Sequence, residues 1–523
     1  MPDAVVIGSG PNGLVAANRL VDAGWDVVVL EAQPEPGGAV RSAELTLPGW
    51  THDVFSAFYP LGVASPAIRD LGLERFGLQW SHAPKVLAHP FEDGRCAVLT
   101  RDVDETAASV EQFAPGDGDA WRGLVDEWHL YGAQVLDVLF RPFPPIVPLA
   151  KLVGRLRSPR AMLDVARFSL LPVRRMGEER FSGDGGPALL SGNMLHTDLT
   201  PDSTLGGFFG WLLCMLGQTH GFPVPVGGAG QLTRAMVDRF VAGGGVIECA
   251  APVVDIVVRD GAAVAVRTAD GREIDARRAV LADVVAPHLY RDLVGEAHLP
   301  SRVVEEIRRF DFDDATVKID WALDGPVPWS SPDVQGAGTV HLGDDIGRLT
   351  AFSSQLKSGL IPDRPFLVFG QMTTSDPTRS PAGTETAWGY THVPFHVRGD
   401  AGGSLTGKWT ADEADAFAAR VEAEVERFAP GFRERIVGRH VHTPPTMEAA
   451  NANLVHGAVN QGTSQLHQQL VFRPIPGLGR PSTPIKRLYL AGASAHPGGG
   501  VHGACGANAA RVALRRDRLR LGS

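Results

Sequence analysis

The chain has 523 residues, of which 44% are hydrophobic and 21% charged, with a formal net charge of −10. That length exceeds what a single growing core accommodates, so two domains are expected, and the composition excludes a disordered or membrane-filling chain. The acidic balance argues against a general nucleic-acid binder, and Cys96, Cys214, Cys249 and Cys505 stand in neither a C-x-x-C pair nor a zinc-ligand spacing, so neither disulfide exchange nor a metal site is expected.

Residues 4–7 are an apolar, β-branched run with no charged and apolar leader ahead of it, which points to a cytoplasmic protein. Gly8-Ser9-Gly10-Pro11-Asn12-Gly13 follows, then an amphipathic stretch over 14–23, Gly24 at a helix C-cap position, and a second apolar strand over 26–30 that ends at Glu31-Ala32. Strand, glycine turn, helix and strand make a βαβ unit. In the dinucleotide fingerprint Gly8 permits the tight turn, Gly10 lets the backbone approach a pyrophosphate, and Gly13 lets helix and strand pack closely. The helix start, with Ser9, Pro11 and Asn12 in the turn, offers free N–H groups and a positive dipole end to phosphate. Glu31, about twenty residues on, accepts hydrogen bonds from ribose hydroxyls and disfavours a 2′-phosphate.

Immediately afterwards, Pro34-Glu35-Pro36-Gly37-Gly38-Ala39-Val40-Arg41 adds a glycine doublet and an arginine that a nicotinamide-binding unit does not need. Residues 133–175 carry Arg141, Lys151, Arg155, Arg157, Arg160, Arg167, Arg174 and Arg175 against only Asp137 and Asp164, among leucine, valine, phenylalanine and proline. Two readings stay open. The segment lies on an anionic membrane with its apolar side chains inserted and admits a lipophilic substrate there, or it is an ordinary helical cap with solvated arginines. The longest apolar run, 205–216, contains glycines and is too short to span a bilayer.

Gly227-Gly228-Ala229-Gly230 follows proline-rich sequence and reads as the turn into a helix over 232–242, not as a second dinucleotide loop. Residues 252–256 read as a strand, and 316–322 alternate as one, with Val317, Ile319 and Trp321 on one face. Residues 366–372 and 385–393 flank a Pro/Gly-rich connection and read as a hairpin, and 411–428 form an amphipathic helix closed by Pro430. At the C-terminus a strand over 488–490 leads through a glycine-rich loop into a helix that starts near Val501 and runs through Ala504 to Leu514. Its N-terminus is a second site for negative charge.

The doublet with Arg41 resembles the extended motif of FAD enzymes of the glutathione-reductase-like class. The segment Ala491-Gly492-Ala493-Ser494-Ala495-His496-Pro497-Gly498-Gly499-Gly500-Val501-His502-Gly503 resembles the closing motif of phytoene desaturases and carotenoid isomerases, and the likeness extends through 222–232 and the Asp376-Pro377-Thr378-Arg379 turn. The resemblance implies an α/β (α+β overall) protein in which a Rossmann-type FAD-binding domain carries an inserted mixed-sheet substrate domain and a helical cap. It divides the chain into a discontinuous FAD domain over 1–75, 222–290 and 480–523, and a substrate domain over 76–221 and 291–479 with the cap at about 120–215. It also implies FAD as the cofactor, with Gly37, Gly38 and Arg41 beside phosphates and flavin and the backbone of Val253 against the adenine. Gly492, Ser494, Gly500, Val501 and His502 would then lie along the ribityl chain and flavin, although many relatives carry aspartate where Ser494 stands.

On this resemblance the chain is an FAD-dependent oxidoreductase that dehydrogenates a hydrophobic substrate by hydride transfer to flavin N5, with the protein supplying orientation and electrostatics. His496 and His502 are the catalytic candidates because they flank the loop beside the flavin; His502, at a helix N-terminus, is expected to resist protonation and serve as a neutral base. His52, Tyr59 and His196 are weaker candidates, His196 in a loop before Thr197-Asp198. A flavin-dependent polyene isomerase remains an alternative, as does a non-catalytic lipid- or protein-binding regulator resembling Rab GDP-dissociation inhibitors. The chain shows no reactive cysteine pair and no second G-x-G-x-x-G unit, so pyridine-nucleotide-linked disulfide chemistry is not expected. No feature of the sequence speaks to oligomeric state.

Overall fold

The computed structural model describes residues 1–156 and 158–521; Arg157 of the basic run lies outside them. Its first layer is a five-stranded parallel sheet in the order Leu488–Leu490, Ala279–Ala282, Ala4–Ile7, Val27–Leu30, Val246–Glu248. Such a sheet is covered on both faces, which is why its strands read as continuous apolar runs. Ala4, Val6, Val27 and Val29 pack with Ala16, Leu20, Ala509 and Ala513 of the helices Pro11–Asp22 and Ala504–Leu521. Val5, Ile7, Val280 and Leu488 face the other way, onto Ile256, Ala263 and Val266 of a small antiparallel sheet formed by Val253–Arg259, Ala262–Thr268 and Glu273–Asp275.

The second layer is a seven-stranded mixed sheet in the order Ile436–His442, Ala315–Leu323, Glu385–Val393, Leu367–Gln371, Ala337–Leu342, Lys85–Pro90, Cys96–Leu99. Neighbours are antiparallel except Ala337–Leu342 beside Lys85–Pro90. Val317, Ile319, Trp321 and Phe369 form one core with Phe417, Val421 and Val425 of the helix Ala411–Phe428, which Thr410 caps by accepting the Glu413 N–H at 3.3 Å. The hairpin pairs Val368 with Tyr390, through a connection that contains the short helix Met372–Ser375 and the turn Pro377–Arg379. Alternation along Ala315–Leu323 does not separate a buried face from a wet one, because all nine residues are buried. The second face carries Thr316, Lys318 and Asp320, of which Thr316 and Lys318 line an internal cavity while Asp320 is buried against Lys318.

Above that face stand the helices Asp117–Phe140, Ile146–Arg155, Pro159–Leu170, Val173–Arg180, Gly185–Met194 and Gly206–His220. The apolar run at 205–216 falls mainly in the last, which buries Trp211, Cys214, Met215 and Leu216 against Leu189, Leu190 and Trp121. Trp211 donates its indole N–H to Leu124 O at 3.1 Å, and Trp121 donates to Gln218 Oε1 at 3.0 Å, so both buried donors are satisfied. Among the described residues no helix is long and apolar enough to cross a membrane. The basic run is less bare than its sequence implies: Arg167 meets Glu179, Arg174 meets Asp202, and Arg175 meets Glu178 and Glu179, in addition to the Arg141–Asp137 and Arg160–Asp164 pairs. These further acids lie outside 133–175, where reading that segment alone does not count them.

Candidate functional site

The turn after the first strand leaves no room for side chains. A Cβ on Gly13 would lie 2.2 Å from Gly8 O, so the helix can seat against the strand only with glycine there. A Cβ on Gly10 would come within 2.7 Å of the Asp283 carboxylate. Gly10 is also the helix N-cap and offers no side-chain acceptor, with Pro11 in the first turn. Glu31 is buried and accepts from Ser9 N at 2.8 Å, Ser9 Oγ at 2.5 Å and Gln33 N at 2.9 Å, so it fixes the turn as well as facing the cavity.

Asp283, which directly follows the strand Ala279–Ala282, accepts the Gly13 N–H at 2.8 Å from the far side of the turn. Burial pushes its carboxyl up to about 7; the Gly13 N–H opposes the rise and the Glu31 charge adds to it. Sequence reasoning passed over this residue, although an acid at the carboxyl end of a parallel strand lies where ligands bind in open α/β sheets.

A single cavity of about 970 Å³ begins at this turn and continues under the helical cap. Gly8, Gly10, Pro11, Asn12, Glu31, Ala32, Gly38 and Val253 line one end; Gly500, Val501, His496 and His502 line it farther on; Leu139, Leu152, Phe168 and Phe208 line the cap end. Asn12 is buried, and its Oδ1 has no hydrogen-bond partner among the described residues. A glycine cradle without side chains, an uncapped helix start and an orphaned amide oxygen on one wall fit a dinucleotide cofactor.

Other proposed contacts lie behind the wall. Ser9 is held by Glu31, and the Gly37 N–H donates to Ser9 O at 3.1 Å. Arg41 donates to Gly38 O at 3.0 Å and Ala450 O at 3.2 Å and lies over the Phe55 ring at 5.5 Å. Ser494 is fully buried, accepting from Ala286 N at 3.0 Å and donating to Gln461 O at 2.9 Å, while Gly492 packs on Val284. The Ser494 hydroxyl is thus occupied in joining loops.

The two loop histidines differ. His502 accepts the Ala504 N–H on Nδ1 at 3.0 Å and has Nε2 3.2 Å from Gly498 O, so both nitrogens are engaged within their own loop. Burial, ahead of any other influence, pulls it down to about 4. The helix starts at Ala504 and not near Val501, because Gly503 has φ +65° and His502 caps from outside. His496 lines the cavity edge-on to Phe143 at 5.8 Å; its Nε2 has no partner among the described residues, and burial followed by nearby Arg473 lowers it to about 4. His196 also lines the cavity and shares an Nε2···Nε2 contact of 2.9 Å with His341, while Tyr59 donates to Ser56 O at 2.9 Å.

On the sheet floor, buried Lys318 donates to Asp320, and His52 Nδ1 stands 3.4 Å from the same carboxylate. Burial alone would raise Asp320, but Lys318 and His52 outweigh it and hold the carboxyl at about 2. A lysine and an aspartate two residues apart on one face of an otherwise apolar strand were the available signal for this pair.

Comparison with known proteins agrees with this layout. The family model for flavin containing amine oxidoreductase matches residues 12–514. Pyridine nucleotide-disulfide oxidoreductase domain-containing protein 2 of Mus musculus is 28% identical, over 98% of this chain and 93% of that protein. The neurosporene-forming phytoene desaturase of Rhodobacter capsulatus is 26% identical, over 96% and 91%. Among solved structures, wild-type putrescine oxidase bound to putrescine superposes with a TM-score of 0.61 at 16% identity, covering 99% of both chains. Rab GDI from Plasmodium falciparum gives 0.51 at 12% identity, covering 84% of this chain and 88% of that one. At such identities the two structures speak for the fold alone.

Proposed function

This chain belongs to the family of flavin containing amine oxidoreductases, and on that premise we propose that it is an FAD-dependent dehydrogenase of a hydrophobic substrate, which enters beneath the helical cap. The observation that carries the reading is continuity: one cavity joins the Gly8–Gly13 turn to the apolar interior of the cap. The name of the phytoene desaturase relative, a protein acting on an apolar polyene, supports the same substrate class.

Gly10 and Asn12 would receive the pyrophosphate on backbone N–H groups at the helix start, where Gly8, whose N–H is donated to Leu30 O at 2.8 Å, and Pro11 border it, with Glu31 meeting the ribose hydroxyls and Ala32 with Val253 the adenine. Gly38, Gly500 and Val501 would border the rest of the cofactor. Bound FAD supplies a two-electron acceptor. Leu139, Leu152, Phe168 and Phe208 exclude water and align an apolar chain by contact alone. Of the two loop histidines, His496 has the free nitrogen, and burial keeps the imidazole neutral at pH 7, so it is the one assigned to take a proton.

The cap surface supports lipid contact. Ile146, Leu163 and Val147 are 69%, 68% and 62% exposed, and Leu130 and Leu149 are both exposed and cavity-lining, so the cavity reaches the surface among exposed apolar side chains. Because most of the arginines there are ion-paired, insertion of these apolar side chains, rather than attraction to anionic headgroups, would hold the protein on a membrane.

The test is the visible spectrum and released flavin of the purified protein, before and after incubation with FAD. Stoichiometric FAD is expected; a folded, colourless protein that cannot be loaded would overturn the reading.

A further inference from the structure

Arg473 carries a full charge into the interior without an acid to meet it. It is 1% exposed, and every acceptor of its guanidinium is a backbone carbonyl. Nε and Nη2 donate to Ala493 O at 3.2 and 2.8 Å, and Nη1 donates to Thr463 O at 3.0 Å and Gly462 O at 3.4 Å. Nη2 also donates to Asn460 O at 2.9 Å and Gln461 O at 3.5 Å. Among the described residues Arg473 forms no ion pair. Asp313 and Asp198 are the carboxylates whose charge reaches it, and both are held by other donors. Asp313 accepts the N–H groups of Val459, Asn460 and Gly462 at 2.9, 2.8 and 3.2 Å, and Asp198 accepts the Thr463 hydroxyl and the Ser464 N–H. Burial, followed by the Asp198 charge, pushes Asp313 up to about 7, so it is only a partial counter-charge at neutral pH.

A guanidinium keeps its proton in a protein, and taking its charge out of water is costly unless a counter-charge repays it. Tying two loops together does not require that cost, because a neutral amide also donates to carbonyls. The charge is what a structural tie leaves unexplained. Its place accounts for it. Asn460, Gln461 and Ala493, which Arg473 holds by their carbonyls, line the cavity, and so does Gly498, on which a Cβ would stand 3.2 Å from Arg473 Cζ. The guanidinium therefore lies directly behind the cavity wall. Its field registers there: after the larger effect of burial, Arg473 also helps to keep the cavity-lining His496 and His502 neutral.

Given the proposed reading of this wall as the border of bound FAD, we infer that Arg473 is a positioning residue for charge, favouring the negatively charged reduced cofactor over the neutral oxidised one. A hydride brings two electrons and one proton to a neutral acceptor and leaves one negative charge behind. A fixed positive charge behind the wall thus stabilises the outcome of that transfer and not its start. The start of the helix Ala504–Leu521, just beyond His502, acts in the same sense. The two are separable, because a side-chain substitution removes the guanidinium and leaves the helix.

The experiment measures, on FAD-loaded protein, the two-electron midpoint potential of the flavin by anaerobic dye equilibration. It also measures the affinity for sulfite, which adds to flavin N5 as an anion and so reports the same preference. Wild type is compared with Arg473→Lys, which keeps the charge, and with Arg473→Gln and Arg473→Met, which remove it, the glutamine keeping N–H donors for the carbonyls. In the neutral variants sulfite affinity is expected to fall roughly ten- to a hundredfold, with the potential falling alongside, as one unit charge several ångströms away at an effective dielectric of about 20 requires. Arg473→Lys is expected to stay near wild type in both. A purely structural tie would disturb the lysine and methionine variants alike and leave flavin-loaded Arg473→Gln at the wild-type potential; either result overturns the inference and leaves the proposed function standing. If neither neutral variant folds, wild type and Arg473→Lys decide: sulfite adducts in both support the charge, and no adduct in either overturns it. A folded wild type that takes up no FAD would instead sink the proposed function.

Discussion

Replacing Asp283 by asparagine isolates one buried carboxyl of the dinucleotide turn. The amide keeps an oxygen for the Gly13 N–H, 2.8 Å away in the native protein, but cannot ionise. In the unfolded chain the carboxyl titrates near its ordinary 3.8, and in the fold near 7, because burial penalises the anion. A folded pKa above the unfolded one means that the native state binds the proton more tightly. Stability from this group is therefore fully present below pH 3.8 and is lost as pH rises to 7. At 1.36 kcal/mol per unit, the rise corresponds to about 4 kcal/mol. Denaturant unfolding of wild type and Asp283→Asn across pH 4 to 9 measures it. The variant should match wild type at the acid end and become more stable by up to about 4 kcal/mol above pH 7. Asp313, Asp314 and Glu385 are also raised by burial, to about 7, 6 and 7, but they titrate in both proteins and cancel in the difference. Parallel curves over the whole range would refute the argument.

Gly13→Ala places a methyl 2.2 Å from a backbone oxygen that cannot rotate away, so the helix start must move; a loss of about 1–3 kcal/mol and of FAD from the folded fraction is expected, read by unfolding midpoint and flavin absorbance. Arg379→Met strands the fully buried Asp53, left with Ser42 at 2.8 Å and the Ala229 N–H at 2.7 Å. It should cost about 3–5 kcal/mol in the same unfolding assay, with the double variant Asp53→Leu/Arg379→Met recovering much of it. Ile146→Glu removes apolar surface from the cap without touching the cavity; co-flotation with phosphatidylcholine vesicles should fall severalfold while FAD content stays the same.

The local elements of the fold were legible in the sequence because a short-range code specifies them. The glycine spacing at 8, 10 and 13, the alternation over 316–322 and the periodicity over 411–428 each sit within one or two elements, and the strands and helices formed there. What escaped involves partners distant in sequence. Asp283 reaches Gly13 across 270 positions, Glu179 and Asp202 neutralise arginines from beyond the basic run, and Lys318 finds the cavity only because its strand is buried on both faces. His502 illustrates a further limit: its place beside a helix start was visible, but not that Ala504 and Gly498 occupy both of its nitrogens.

Whether flavin and a lipophilic substrate meet in one cavity is decided by anaerobic titration of the FAD-loaded protein with long-chain apolar and amphipathic compounds, followed at the flavin absorption bands. At least one such compound should bleach the flavin, and a large residue blocking the cap end, as in Leu212→Trp, should abolish the bleaching while FAD remains bound. Bleaching that survives the blocked cap, or that only small polar compounds produce, would contradict a shared cavity.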